Sequence, residues 1–210
     1  MQHKITKSLL YPCNIVTGVR LVMLVLAGVT IYLYTYMGWT LDTRLRWGIA
    51  IQLFVCALLL DVVDGYLARK FGHVTEFGAL FDQVIDLLSH TVVWTLSELS
   101  IAPTIIAIEW TAGLLAAAIT TKSPHHWKNR LVDEGGLFVR SYFQNGGYNF
   151  LNIYGNLAHF VFPISIFIAG SITLIGYVAV VGVLIYEAVT VLMILSFTKF
   201  VLAESQHRNK

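Results

Sequence analysis

The residues best equipped for chemistry lie between Asp61 and Asp86. The stretch reads Asp61-Val-Val-Asp64-Gly65-Tyr-Leu-Ala68-Arg69, then eight residues, then Gly78-Ala-Leu-Phe-Asp82-Gln-Val-Ile-Asp86. Apolar runs flank it: Leu53 to Leu60 before, and Leu87 onward after. A carboxylate at membrane depth costs roughly 2.5–3.5 kcal/mol, so four bare ones would cost about 10 kcal/mol. Something must compensate them, and cations are the direct answer. Helical neighbours lie three or four residues apart. That spacing puts Asp61, Asp64, Gly65 and Ala68 on one face, and Gly78, Asp82 and Asp86 on another. Two such helices facing each other can converge four carboxylates. Oxygen-only donors suit hard divalent ions such as Mg2+. A pair of such ions can clamp a phosphate under attack. Gly65 and Gly78 leave room for a backbone or a phosphate, and Arg69 offers a fork for phosphate oxygens.

The full pattern, Asp-x2-Asp-Gly-x2-Ala-Arg-x8-Gly-x3-Asp-x3-Asp, resembles the signature of the CDP-alcohol phosphotransferases at every signature position. The resemblance implies an integral membrane enzyme that uses Mg2+ or Mn2+, two ions at a time. An alcohol attacks the β-phosphorus of a CDP-linked lipid, and CMP leaves. On this resemblance Asp61, Asp64 and Asp82 are metal ligands, and Asp86 is both ligand and base. Gly65, Ala68, Arg69 and Gly78 line the CDP site. The substrates are then CDP-diacylglycerol and a small alcohol, the setting is membrane lipid, and a homodimer is expected. Asn14 and Arg20 at the start of the first apolar segment also look like the family. For Arg20 a substrate-side role and a snorkelling side chain remain equal alternatives.

Composition fits a membrane chain. Of 210 residues, 57% are hydrophobic and 12% charged, about half the charge of a soluble domain. The net charge of +2 gives no reason to invoke nucleic acid. Cys13 and Cys56 sit in apolar contexts and read as free buried thiols. No cleavable signal peptide is evident in the basic first residues. The expected fold is all-α, one domain over 1–210. A short amphipathic helix at residues 2–10 precedes six transmembrane helices. These run about Pro12 to Met37, Gly48 to Arg69, Glu76 to Glu98, Ile101 to Thr121, Phe150 to Gly170 and Ser171 to Phe197. Thr75 is placed to cap the third.

Six crossings put both termini on one side. That side holds Lys4, Lys7, Arg69, Lys70, Lys122, Lys128, Arg130, Arg140, Lys199, Arg208 and Lys210, against Arg44 and Arg46 opposite. The positive-inside rule makes it cytosolic, together with the aspartates. The membrane is the endoplasmic reticulum if the source is eukaryotic.

The acceptor is read from the second half. Arg140-Ser-Tyr142-Phe143 followed by Gly155-Asn156 is similar to the phosphatidylinositol synthases, which makes Arg140 and Asn156 acceptor-side candidates and myo-inositol the expected acceptor. Those enzymes carry Arg after the fourth aspartate, where this chain has Leu87. A phosphorylated acceptor would want several embedded cations, and only Arg20 and Arg69 qualify, which also leans toward a neutral polyol. The alternative is the bacterial phosphatidylglycerophosphate synthases, which the Asp64-to-Arg69 core resembles, though they typically carry Pro after the third aspartate and Lys after the fourth where this chain has Gln83 and Leu87, or another member of the family with a different acceptor. A channel or carrier using the aspartates for ion passage is the rival class. Glu109 and Glu187 stand alone at membrane depth, either paired or lining a cavity. His125-His126 reads as a loop pair facing headgroups.

Overall fold

In the computed structural model the described residues are 10–120, 131–133 and 136–208, without the side chains of 146 and 203–208. Every regular element among them is helical. They fall into two compact units, Met1–Leu96 and Ser97–Lys210. The amphipathic helix expected at 2–10 and the His125-His126 pair lie outside the described residues.

The first unit begins with α1, Pro12–Tyr36, which has proline in its first turn where a missing N–H costs nothing. Its buried face is Cys13, Asn14, Thr17, Arg20, Leu24 and Ala27. The spacing is helical, but the upper half of that stripe is polar. A left-handed Gly38 (φ 68°) helps turn the chain. Asp42 then caps α2, Thr43–Phe54, by accepting from the Leu45 amide at 2.8 Å. The helix therefore starts at Thr43, and Arg44 and Arg46 ride on it. The sequence starts the second span at Gly48, and the cap at Asp42 begins the helix earlier.

One π-helical turn, Val55–Leu59, follows, and then α3, Leu60–Lys70. A π turn inserts a residue into the hydrogen-bond ladder and so rotates everything beyond it. This one sits directly before Asp61. At the other end of α3, Arg69 and Lys70 occupy the last turn, where cations suit the helix dipole. Gly72 takes a left-handed φ of 64°, and the His73 amide bonds back to the Ala68 carbonyl at 2.9 Å, closing the helix. Thr75 accepts from the Gly78 amide at 3.0 Å and opens α4, Glu76–Leu96.

The second unit holds α5, Ala102–Thr120; a short α6, Leu137–Phe143; α7, Phe150–Ala169; and α8, Leu174–Arg208. Asn149 caps α7 by accepting from the Asn152 amide at 3.1 Å. A left-handed Gly170 (φ 71°) ends α7. The link is short, so α8 folds back along α7. Gly182 makes the close crossing: a Cβ there would sit 2.3 Å from that of Ala158. The core joins Ala116, Ile119, Tyr142, Phe143, Val189 and Phe197. Helix α8 continues to Arg208, past the Phe197 expected to end the sixth span.

Five of the described helices are long and apolar enough to cross a membrane: Pro12–Tyr36, Thr43–Lys70, Ala102–Thr120, Phe150–Ala169 and Leu174–Leu202. The chain is an integral membrane protein. Its outward faces carry exposed apolar side chains such as Val62, Leu174 and Leu184, which suits contact with lipid tails. The expected count of six is not reached on these grounds. Helix α4 has the length, but Asp82, Gln83, Asp86 and His90 dilute its hydropathy.

Candidate active site

The four aspartates converge within the first unit, and a guanidinium lies at their centre. Arg20 on α1 is fully buried. Its Nη1 lies 3.2 Å from Asp61 Oδ1, 2.9 Å from Asp64 Oδ2 and 2.5 Å from Asp82 Oδ1. Its Nη2 donates to Asp86 Oδ1. Two helices supply the carboxylates, Asp61 and Asp64 from α3 and Asp82 and Asp86 from α4. The i, i+3 and i, i+4 spacings aim each pair at α1.

Other contacts fix the arginine and the innermost aspartate. Arg20 Nε donates to the Cys56 carbonyl at 3.0 Å, and the Cys56 thiol lies 3.2 Å from the Arg20 carbonyl. Cys56 belongs to the π turn, so that turn both anchors Arg20 and sets the rotation of the helix bearing Asp61 and Asp64. The Thr17 hydroxyl donates to Asp64 Oδ2 at 2.9 Å. The Asp64 side chain is 5% exposed, whereas those of Asp61, Asp82 and Asp86 are 40%, 38% and 43% exposed. Asp64 is the floor of the site and the other three are its walls.

The charges do not balance. Fully ionised, the four carboxylates around Arg20 would outweigh its one guanidinium by three negative charges. Carboxylate oxygens of Asp61, Asp64 and Asp82 lie within 4.8 Å of one another. At an effective dielectric near 20, two unit charges that far apart repel by about 3.5 kcal/mol. A cluster of hard oxygen donors with excess negative charge fits a divalent cation such as Mg2+ or Mn2+.

The remaining signature positions have local explanations. A Cβ on Gly65 would stand 3.3 Å from Arg69 Nη1, so the glycine lets the Arg69 fork fold against its own helix. A Cβ on Gly78 would stand 3.0 Å from Asn14 Oδ1 and 3.1 Å from Thr75 Oγ1. Gly78 thus admits α1 to close approach and preserves the α4 cap. Ala68 contributes its carbonyl to the end of α3. Arg69 itself is exposed.

The acceptor-side candidates belong to the second unit. Arg140, in the last turn of α6, is exposed. Asn156 donates to Tyr142 Oη at 3.1 Å and to the Asn152 carbonyl at 2.8 Å. A Cβ on Gly155 would lie 2.9 Å from the same phenol oxygen. Gly155 and Asn156 therefore seat Tyr142, whose phenol burial pushes up from its ordinary range. The pair read as an acceptor signature does packing work at α6 and α7. Glu109 and Glu187 both meet His159, which is fully buried on α7. Its Nε2 is 2.8 Å from Glu187 Oε1, and its Nδ1 is 3.8 Å from Glu109 Oε1.

Of the residues around the aspartates, Thr17 carries no assignment in the sequence and Arg20 carries two alternatives there. The signal was present: Asn14, Thr17 and Arg20 recur every three residues, a polar stripe on an apolar helix.

A sequence model of the CDP-alcohol phosphatidyltransferase family matches residues 10–131. Curated relatives named CDP-diacylglycerol–glycerol-3-phosphate 3-phosphatidyltransferase are similar over shorter stretches. Those of Rickettsia typhi and Rickettsia prowazekii are each 53% identical over 36 residues, 17% of this chain and 20% of the relative. That of Cereibacter sphaeroides is 38% identical over 74 residues, 35% of this chain and 30% of the relative. The chain thus spans less than a third of the length of these relatives. No solved structure matches it. The family match covers more than half of the chain and contains all four aspartates and the arginine at their centre, and the chain belongs to the CDP-alcohol phosphatidyltransferase family.

Proposed function

We propose that the chain, acting as one catalytic domain over residues 1–210, transfers the phosphatidyl group of CDP-diacylglycerol to glycerol 3-phosphate, releasing CMP. The observation that carries the reading is the convergence of Asp61, Asp64, Asp82 and Asp86 on one point from two helices. Asp61, Asp64 and Asp82 would hold Mg2+ or Mn2+, two ions as the family resemblance implies. When bound there, the ions supply neutralisation of the pyrophosphate and of the leaving CMP. Asp86, on the exposed wall of the site, takes the proton from the attacking hydroxyl. Arg69 offers its fork to CDP phosphate from the cytosolic end of α3.

The acceptor reading moves from inositol to glycerol 3-phosphate. The names of the similar curated relatives support that change. Two grounds for inositol also weaken: Asn156 is engaged with Tyr142 and Asn152, and Arg140 is exposed on α6. Lys70, exposed beside Arg69, adds a second cation for a phosphorylated acceptor; its ammonium lies 5.4 Å from the Tyr66 ring centre. The resemblance to homodimeric members carries the expectation of two copies.

The test is an acceptor screen. Purified protein in lipid, given labelled CDP-diacylglycerol and Mn2+, is offered glycerol 3-phosphate, myo-inositol, serine and phosphatidylglycerol separately. Glycerol 3-phosphate should yield phosphatidylglycerophosphate and CMP. Release of CMP with inositol alone would restore the earlier acceptor, and no CMP with any alcohol would remove the transferase reading.

A further inference from the structure

We propose that Arg20 is the resident counter-cation of the aspartate site. It holds the four carboxylates together before divalent ions arrive and yields Asp61, Asp64 and Asp82 as the ions bind. The inference rests on the metal-dependent transfer proposed above.

Three observations carry it. First, the Arg20 guanidinium contacts every one of the four aspartates and is itself fully buried. Each aspartate gives it one oxygen, so an ion entering the site competes with the guanidinium for the same carboxylates. Second, the pairing is unsaturated. Nη1 carries two hydrogens but faces three carboxylates, with Asp61 the loosest at 3.2 Å. One positive charge spread over a planar group is outmatched there by a compact divalent ion. Third, access is asymmetric. Asp61, Asp82 and Asp86 have side chains 38–43% exposed, so an ion can reach them from outside. Arg20 is held from behind, because Nε is bonded to the Cys56 carbonyl in the π turn. Exchange therefore occurs at Nη1, which faces Asp61, Asp64 and Asp82, while the stem stays fixed.

Without Arg20 and without metal, Asp64 would be an unpaired charge at 5% exposure, a costly arrangement. Arg20 thus offsets the buried charge of Asp64, at the expense of weaker metal binding. This is a positioning role, and its signature lies in binding and stability as well as in turnover.

The experiment compares wild type, Arg20→Met and Arg20→Lys in detergent. Mn2+ affinity is read by electron paramagnetic resonance and thermal unfolding is followed with and without chelator. Asp61→Asn is the control for site occupancy. Arg20→Met should bind Mn2+ about tenfold more tightly than wild type. It should melt at a lower temperature in chelator and recover when Mn2+ is added. Arg20→Lys keeps the charge but loses the fork, and should fall between the two; it carries the test if Arg20→Met does not fold. Equal or weaker Mn2+ binding by the folded Arg20 variants, or an unchanged melting temperature in chelator, overturns the proposal. If wild type binds Mn2+ and Asp61→Asn does not, the metal reading survives that failure. If neither wild type nor any Arg20 variant binds Mn2+, both readings fall.

Discussion

Asp86 differs from the other three aspartates in its neighbours. Asp61, Asp64 and Asp82 bring oxygens within 4.8 Å of one another, a grouping that does not include Asp86. Asp86 instead meets Nη2 of Arg20, one nitrogen away, with its side chain 43% exposed. The three clustered aspartates suit ion binding, and Asp86 suits proton transfer beside it. Replacement should separate the two. Asp86→Asn removes a base whose contribution is typically 10²–10⁴-fold, and CMP release should fall by about that factor while Mn2+ still binds. Asp82→Asn should abolish Mn2+ binding together with activity. Loss of Mn2+ binding in Asp86→Asn, with turnover recovered at saturating Mn2+, would reassign Asp86 to the ligand set alone.

The helices show which parts of this arrangement could be read from residue order. Carboxylates in apolar runs stand out because few other roles tolerate them, so their spacing disclosed α3 and α4 and the faces that meet. Helix ends with chemical markers were also legible: Pro12 opens α1 and Thr75 caps α4. The π turn at Val55–Leu59 was not, because Val-Cys-Ala-Leu-Leu serves an ordinary helix equally well and the extra residue is a property of the ladder. The destination of Arg20 was hidden for a related reason. Its carboxylate partners are 41 to 66 positions away in the chain, and no local pattern encodes that contact. Gly155-Asn156 shows the opposite limit, since a glycine and an amide that seat Tyr142 look the same in sequence as a pair that binds a polyol.

The α7–α8 crossing tests this element-level reading. Gly182 lies so close to Ala158 that a Cβ would stand 2.3 Å away, and 3.1 Å from the Tyr154 carbonyl. In a membrane, where lipid tails are as apolar as leucine, small residues at such crossings set how closely helices pack. Gly182→Val should destabilise the second unit by roughly 1–3 kcal/mol, the usual cost of overpacking, seen as a lower unfolding temperature in detergent. Gly28→Val is the control, because a Cβ there meets nothing within 4 Å. Equal losses from both would show that helix propensity alone is responsible.

At the scale of the molecule, the open matter is whether α4 crosses the bilayer. Its 21 residues extend about 32 Å at 1.5 Å per residue, enough for a hydrocarbon core near 30 Å. Its polar content argued against it on composition, yet Asp82 and Asp86 are paired with Arg20 and do not stand bare in lipid. Charge distribution favours a crossing. If α4 crosses, the termini, residues 71–75 and the stretch holding Lys122, Lys128, Arg130 and Arg140 share a side, leaving Arg44 and Arg46 opposite. If it does not, that basic stretch moves across and the cytosolic excess of Lys and Arg collapses, against the positive-inside rule. The native cysteines make labelling straightforward, since Cys13 and Cys56 are buried. Thr40→Cys, Lys70→Cys and Ser100→Cys replace exposed residues at successive helix ends. In inside-out vesicles a membrane-impermeant maleimide should modify Lys70→Cys and spare Thr40→Cys and Ser100→Cys, with the reverse pattern in right-side-out vesicles. Labelling of Lys70→Cys and Ser100→Cys from the same side would mean that α4 does not cross, and the aspartate site would then need an interfacial helix as one of its walls.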